Sequence, residues 1–424
     1  MTPIKLGCIA DDFTGATDLA NNLVRAGMRV LQATGIPDHE PDLEVDAVVI
    51  ALKSRTSPAE EAVAQSLAAA AWLKRAGATQ IYFKYCSTFD STAKGNIGPV
   101  SDALMQALGA SFTISTPAFP DNGRTVFKGH LFVGDVLLSD SGMRDHPLTP
   151  MTDANLVRVL QAQSQHQIGL IEARTVQAGS DAITQRINTL QAGGTGIAIV
   201  DAICNDDLFK LGVAVRDLPI VCGGSGVAIG LPQNFGITPS TQASALPAAS
   251  GARAIVSGSC SQATNRQVAS FIAAGGAAYS VDAMRVASDS AGVTAQALDW
   301  AKARLAGHAN DPLLIYSTAE PQAVRQIQAT LGVERAGVAI ENVLASIALG
   351  VVALGVRQLI IAGGETSGAC VQALGVSLMR IGPQIDTGVP WCFTDGSAGR
   401  IHLALKSGNF GSDDFFHKAF TMLT

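Results

Sequence analysis

Residues 7–27 read Gly-Cys-Ile-Ala-Asp-Asp-Phe-Thr-Gly-Ala-Thr-Asp-Leu-Ala-Asn-Asn-Leu-Val-Arg-Ala-Gly. Ile4 to Ala10 is an apolar run with the length and flanks of a buried strand. Asp11 and Asp12 follow at its end, then Thr14-Gly15-Ala16-Thr17. A helical pattern comes next: Leu19, Leu23 and Val24 recur at helical spacing and Gly27 closes the run. The unit is therefore strand, loop, helix, with paired carboxylates where the strand stops. In an open α/β sheet the carboxyl ends of the strands form the ligand-binding edge. Two adjacent carboxylates there can bind hydroxyls, hold a metal ion or take a proton. Asp12 is equally a natural N-cap for the helix, so the capping reading stands beside the chemical one.

The same rhythm extends outward. Strand-like runs recur at 29–34, 46–52, 80–84 and 111–116, with helical patterns at 58–77 and about 97–108. Ser57 is the expected N-cap of the first of these helices, with Pro58 at its first position and Glu60 in its first turn. This βαβα order predicts a parallel sheet covered on both faces. Residues 125–150 break the rhythm and predict a hairpin or an extended insert. Alternation returns at 169–171, 196–200 and 219–222. Residues 237–252 lack periodicity and are rich in Ser, Thr, Ala and Pro, the composition of an interdomain linker. A second α/β rhythm follows, with strands at 254–256, 313–316, 358–362 and 400–405 and a loop from Ser317 to Glu320 after the second of them. The fold class expected is α/β: two domains, each a mainly parallel sheet flanked by helices, with an interdomain cleft. The domains are residues 1–236 and 253–424, joined by 237–252.

Composition narrows the function classes. The 424 residues are 47% hydrophobic and 15% charged, with 43 Gly and 17 Pro, which suits a compact α/β chain with many tight turns. The net charge is −6 and no basic run or aromatic-basic stripe occurs, so no nucleic-acid partner is expected. An anionic substrate would need local positive charge in a cleft. The 7 cysteines stand singly and none forms Cys-x-x-Cys, which points to reduced, packed thiols. The start of the chain has no signal-peptide pattern, and the Ala-rich stretch 62–71 is interrupted by Gln65 and Ser66. A cytoplasmic protein without a membrane partner is expected; monomer and homo-oligomer both stay open.

Three small-residue loops in the second half each follow an apolar strand: Ser257-Gly258-Ser259, Gly363-Gly364-Glu365-Thr366-Ser367-Gly368 and Lys406-Ser407-Gly408-Asn409-Phe410-Gly411. Glycine lets the backbone approach a ligand, and a helix starting near Ala369 would aim its N–H groups at a phosphate. Neither a Walker pattern nor Gly-x-Gly-x-x-Gly with a following acid is present. The first half carries the complementary chemistry. Arg55, Lys84 and Arg124 fall at or just past strand ends, where they can converge with Asp11 and Asp12. Asp90, with the hydroxyls of Ser87, Thr88, Ser91 and Thr92, offers a polyol many partners. A phosphate-binding half and a hydroxy-acid-binding half together suggest phosphoryl transfer, which needs Mg²⁺ and a base for the attacking hydroxyl. Asp12 is the candidate base and Asp11 the orienting carboxylate. The 7 histidines show no zinc pattern, and no protein metal site is expected. Gly223-Gly224-Ser225-Gly226 does not fit a nucleophile elbow. A non-catalytic two-domain binding protein and a hydroxy-acid isomerase or dehydrogenase are the competing readings.

At these residues the chain resembles the four-carbon acid sugar kinase family, nearly end to end. Asp11-Asp12-Phe13-Thr14-Gly15-Ala16 is similar to its N-terminal signature. Ser54-Arg55-Thr56 and Asp90-Ser91-Thr92 with Gly95-Asn96 resemble its substrate motifs, and the three glycine loops resemble its nucleotide motifs. Phe83-Lys84-Tyr85-Cys86-Ser87-Thr88-Phe89-Asp90-Ser91-Thr92 is most like the branch acting on 3-oxo-tetronates. The threonate and erythronate kinase branch has Leu-Arg-Gly where this chain has Ala93-Lys94-Gly95, so an Arg contact is lost or replaced by Lys94. The resemblance implies ATP as donor, with Mg²⁺, and phosphorylation of a 3-oxo-tetronate (3-dehydro-erythronate type) on O4. D-threonate or D-erythronate is the alternative acceptor. It implies ATP contacts at Ser257, Ser259, Gly363, Gly364, Glu365, Thr366 and Gly408. Arg55, Lys84, Asp90, Ser91 and Arg124 are the expected sugar-acid ligands, with residues 237–252 as the hinge of domain closure.

Overall fold

The computed structural model describes residues 3–38, 44–89, 92–145, 149–308, 310–318 and 333–423. The chain divides into two compact units, Met1–Ser244 and Ala245–Thr424. In the first, the parallel strands are β1 (Leu6–Ala10), β2 (Val30–Thr34), β3 (Ala47–Ala51), β4 (Gln80–Lys84) and β5 (Thr113–Thr116). An antiparallel set follows, β6 (Arg124–Phe127), β7 (His130–Val133) and β8 (Val136–Leu137), and then β9 (Gln167–Ile171), β10 (Thr195–Val200) and β11 (Ile220–Gly223). The parallel strands lie in the order β2-β3-β1-β4-β11-β5-β10-β9. β1, β3 and β4 are buried along their whole length, as strands covered on both faces must be. The chain first builds leftward from β1 through β3 and β2, then restarts on its other side with β4. That reversal makes β1/β4 the switch point of the sheet, where such folds bind ligands.

Helix α1 (Phe13–Arg25) follows β1 and buries Leu19, Leu23 and Val24. Helix α2 (Ala59–Arg75) starts at Pro58 without a side-chain cap. Ser57, the expected cap, instead donates its hydroxyl to Lys53 O at 3.1 Å. Helix α3 (Ile97–Ala107) follows β4. The expected insert at 125–150 holds the antiparallel β6-β7-β8 sheet. Its tight turn places Lys128 and Gly129 at φ 52° and 71°, the left-handed pair a two-residue hairpin needs. Asp201, just past β10, receives the N–H groups of Lys128 and Gly129, both at 2.8 Å, and so ties the hairpin to the parallel sheet.

The second unit contains β12 (Ala252–Ser257), β13 (Ala277–Ser280), β14 (Leu313–Tyr316), β15 (Val356–Ala362), β16 (Leu378–Asp386), β17 (Val389–Gly396) and β18 (Gly399–Lys406). Their order is β13-β14-β12-β15-β18-β17-β16, parallel as far as β18. The last three strands form an antiparallel meander where the alternation predicted only β18. Two-residue turns join them: the first holds Gly388 at φ 76°, and Gly399, at φ 83°, opens β18 directly after the second. Phe271, Trp391, Phe415, Phe416 and Phe420 pack with Ile255, Leu314 and Ile360 into the core of this unit. Ala319 and Glu320, read as loop after β14, lie outside the described residues. Among the described residues no helix is long and apolar enough to cross a membrane. None of the cysteines forms a disulfide.

Candidate active site

The carboxyl ends of β3, β1, β4 and β11 stand side by side and carry the polar residues of the first unit. The loops that leave them are stitched together by backbone. Asp11 N–H donates to Lys84 O at 3.1 Å, and Ser54 and Arg55 N–H donate to Asp11 O at 3.0 and 3.2 Å. Asn96, at the start of α3, gives its amide to the carbonyls of Ser54, Arg55 and Ser57 at 2.8–3.2 Å. The turn that bears Arg55 is thus held from below. The guanidinium then grips both acids: Nε to Asp11 Oδ2 at 2.9 Å, and Nη2 to Asp11 Oδ1 at 2.8 Å and to Asp12 Oδ1 at 2.6 Å. Nη1 makes no hydrogen bond among the described residues. A small pocket beside this pair is lined by Asp11, Ser54, Arg55, Phe83, Cys86 and Asn96, with Ile97 and Val100 behind them.

Asp12 does two jobs. Its Oδ1 caps α1 by accepting Gly15 N–H at 3.1 Å, and its Oδ2 accepts the Thr14 hydroxyl at 2.9 Å. A carboxylate offers about four lone-pair positions, and these bonds with Arg55 fill three, so one on Oδ2 remains. Asp12 also keeps 24% of its side chain exposed against 9% for Asp11. The two acids titrate in opposite senses. Burial drives Asp11 up, and Arg55 recovers only part of the shift. Burial pushes Asp12 up too, but Arg55, Lys84, the Thr14 hydroxyl and the Gly15 N–H together outweigh it and hold Asp12 below the ordinary carboxylate range.

Lys84, only 2% exposed, lies over the first turn of α1. A Cβ at Gly15 would collide with its Nζ and with Asp12 Oδ1, so the glycine leaves the space both groups occupy. Lys84 makes no side-chain hydrogen bond among the described residues, although its charge acts on Asp11, Asp12 and Asp18. An ammonium placed against a helix N-terminus requires such acids, because the helix dipole repels it. Arg124 opens β6, donates to Asn122 O and lowers the titration of Asp18. Asp90 and Ser91 lie outside the described residues. The residue before them, Phe89, is buried in the left-handed region at φ 53°, a conformation costly for a bulky side chain.

The sequence reading missed Asp18. It is 4% exposed, accepts the Ser225 hydroxyl on Oδ2, and its Oδ1 has no hydrogen-bond partner among the described residues. Burial pushes its carboxyl up to about 6, against the opposing pull of Lys84, Ser225 and Arg124. Ser225, dismissed above as a nucleophile, is this acid's partner. In the structure α1 is buried nearly all round, so Asp18, Asn21 and Asn22 all lie away from water.

In the second unit the three glycine loops leave the adjacent parallel strands β12, β15 and β18. Gly258 and Ser259 N–H donate to Ala362 O at 2.9 and 3.1 Å, and Gly363 N–H donates to Lys406 O at 2.8 Å. The helix after β15 begins at Gly364, five residues before the expected Ala369, and runs to Ala373. Of its glycines only Gly363, at φ 126°, needs the left-handed region. The first turn of this helix, Gly364-Glu365-Thr366, has no side-chain cap. A Cβ at Gly408 would fall 2.6 Å from Ser259 Oγ, and one at Gly363 would fall 3.2 Å from Ser259 N. Ser259, Gly363, Gly364, Glu365, Thr366 and Gly408 therefore meet in one place. Ser257 differs: it is fully buried and its hydroxyl is paired with Thr318 at 2.7 Å.

Family comparison divides the chain along the same lines. The model of a sugar-binding N-terminal domain matches residues 6–231, and that of a nucleotide-binding C-terminal domain matches residues 254–416. A 3-oxo-tetronate kinase of Cupriavidus necator is 55% identical, over 99% of this chain and 97% of that one. A 3-oxo-tetronate kinase of Pseudomonas fluorescens is 54% identical, with the same coverage of 99% and 97%. The crystal structure of a Salmonella typhimurium LT2 protein superposes with a TM-score of 0.89 at 45% identity, covering 99% of this chain and 100% of that one.

Proposed function

The chain belongs to the four-carbon acid sugar kinase family, and we propose that it transfers the γ-phosphoryl group of ATP to the 4-hydroxyl of a 3-oxo-tetronate, a four-carbon sugar acid of the 3-dehydro-erythronate type. It is a phosphotransferase with an alcohol acceptor. The observation that carries the reading is the Asp12 carboxylate at the β1/β4 switch point, fixed by Arg55 and set beside the buried ammonium of Lys84. The acceptor acid binds in the first unit. Lys84 and Arg124 meet its carboxylate and polar oxygens, with Arg55 Nη1, Asp90 and Ser91 completing its ligands. The open lone pair of Asp12 Oδ2 takes the O4 proton as O4 attacks the γ-phosphorus. The O4–P bond forms, the bond from phosphorus to the bridging oxygen breaks, and ADP leaves with the electron pair. A low titration point keeps Asp12 ionised at neutral pH, and Asp11 keeps Arg55 aligned.

ATP binds in the second unit through the N–H groups at the start of the helix Gly364–Ala373, the hydroxyl of Ser259 and the N–H of Gly408. Mg²⁺ on the triphosphate supplies charge compensation. Asp11 and Asp12, at the sheet edge of the first unit, are both engaged by Arg55. A cytoplasmic setting supplies ATP and keeps the thiols reduced.

ADP release with Mg²⁺-ATP tests the proposal against 3-oxo-tetronate, D-threonate, D-erythronate and no acid. Turnover confined to the 3-oxo acid is the expected result. Turnover only with threonate or erythronate would keep the kinase and reject the branch read from residues 83–92. Inactivity with all three would reject the assigned acceptor class.

A further inference from the structure

Lys406 ends β18 inside one of the loops assigned to the nucleotide, yet it does not reach out as a phosphate-binding lysine would. It is fully buried. Its Nζ turns back under the loop and lies within hydrogen-bond distance of Thr264 Oγ1 at 3.0 Å, Ser407 O at 3.0 Å, Gly408 O at 3.1 Å and Phe410 O at 3.3 Å. Gly408 O is gathered further by the hydroxyls of Ser261 at 2.5 Å and Thr264 at 2.9 Å. Gln267 holds the far side of the loop, donating to the carbonyls of Phe410, Gly411 and Ser412 at 3.0 Å each. The carbonyls of Ser407, Gly408, Phe410, Gly411 and Ser412 are thus turned onto one ammonium and one amide.

The acceptors of Lys406 are all neutral. The charged groups on the elements around it are Glu365 at the start of the helix after β15, Arg266 paired with Asp413, Lys418 paired with Asp386, and Asp414. Among the described residues the ion pairs here are Arg266–Asp413 and Lys418–Asp386, and the bonds of Lys406 go to neutral oxygens. Among the described residues the ammonium form of Lys406 has no counter-ion, and burying that charge beneath Gly408 is expensive unless something else justifies it. The arrangement has a purpose if an anion arrives on the other side of the loop.

We propose that Lys406 is a positioning residue of the nucleotide site: its ammonium holds the loop 407–411 in shape from beneath and supplies the buried positive charge that a bound polyphosphate completes. The inference rests on the assignment of ATP to this unit. It predicts an effect that scales with ligand charge, because a charge acts through space on other charges while a misshapen loop harms every ligand alike. Burial alone brings the free Lys406 down to about 7. An arriving polyphosphate favours the charged form, so nucleotide binding above that pH takes up a proton at Lys406.

The test is calorimetric titration of the full chain and of Lys406→Met with ATP, ADP, AMP and adenosine. The expected loss in the variant is roughly tenfold or more for ATP, shrinks stepwise along the series, and is within about twofold for adenosine. Equal losses for all four ligands would overturn the inference and leave the nucleotide site intact. If the wild type binds no ATP, the site assignment fails and this inference with it. Should Lys406→Met not fold, the wild type decides by itself. Binding of Mg²⁺-ATP at pH 8, measured in two buffers of different ionisation enthalpy, takes up protons if Lys406 is the responding charge, and the uptake vanishes at pH 6. ATP binding at pH 8 without proton uptake would overturn it.

Discussion

Asp11 and Asp12 are neighbours in the chain and share one arginine, yet their environments push their titrations apart. Asp11 is spent on a two-pronged grip of Arg55, whereas Asp12 spreads its load over Arg55, Thr14 and Gly15 and keeps an open lone pair. Asp12→Asn should therefore cut kcat by about 100-fold to 10,000-fold with little change in either KM, the usual span for a lost base. Steady-state kinetics that left kcat near the wild-type value would remove Asp12 from that role. Gly15→Ala is the harsher test of geometry. The new methyl would enter the space of Lys84 Nζ and Asp12 Oδ1. Turnover should fall about 100-fold, as displacements near 1 Å do, while far-ultraviolet circular dichroism stays native because alanine suits a helix. Arg55→Ala should raise the sugar-acid KM and also lower kcat, since the guanidinium aligns both acids and does not only meet the substrate. Asp18 supplies a pH signature. Its carboxyl rises from 3.8 to about 6 on folding, so its contribution to stability is full below 3.8 and is lost as pH climbs through about 6. Asp18→Asn should then raise Tm by roughly 5 °C at pH 7.5 and have little effect at pH 4. An equal shift at both pH values would reject the raised titration point.

At the scale of elements, the nucleotide role proposed for the glycine loops depends on closeness. Gly408 faces Ser259 so tightly that a valine there must displace either the β12 loop or its own, and the ATP KM should rise by roughly tenfold or more while the sugar-acid KM stays within about twofold. Equal changes in both would make the contact merely structural. These loops were legible because each follows a buried parallel strand, and a strand covered on both faces reads as an unbroken apolar run. The meander of β16 and β17 was not legible for the converse reason. Its β16 strand mixes buried, half-buried and exposed positions without strict alternation and carries Pro383 within it, so neither periodicity nor hydrophobicity marks it. The start of the helix after β15 was placed too late because Gly364 and Gly368 look like loop residues, while only Gly363 needs a glycine's backbone freedom. Arg55 was legible as a strand-end cation converging with both acids, as its bonds to Asp11 and Asp12 show, whereas Asp18 was hidden altogether. Its partner Ser225 is 207 positions away, and no local pattern records a pairing of that range.

For the molecule as a whole, each ligand assignment uses residues of one unit only. The acids, Arg55, Lys84 and Arg124 belong to Met1–Ser244, and the three glycine loops with Lys406 belong to Ala245–Thr424. Backbone amides report such a division directly, because a ligand that orders a loop slows its local opening and therefore its hydrogen exchange. Exchange measured by mass spectrometry on the full chain should show 3-oxo-tetronate protecting residues 11–17, 52–57 and 84–89, the segments that carry the paired acids, Arg55 and Lys84. A non-hydrolysable ATP analogue with Mg²⁺ should protect 257–261, 363–367 and 406–411. The last segment should respond least of the three: Lys406 and Gln267 already tie its carbonyls down, leaving less motion for a ligand to remove. Protection by the nucleotide confined to the first set would reverse the assignment of ligands to units. Strong protection of 406–411 with none at 363–367 would instead move the phosphates away from the start of the helix Gly364–Ala373, and with them the argument that its exposed N–H groups are what the polyphosphate meets.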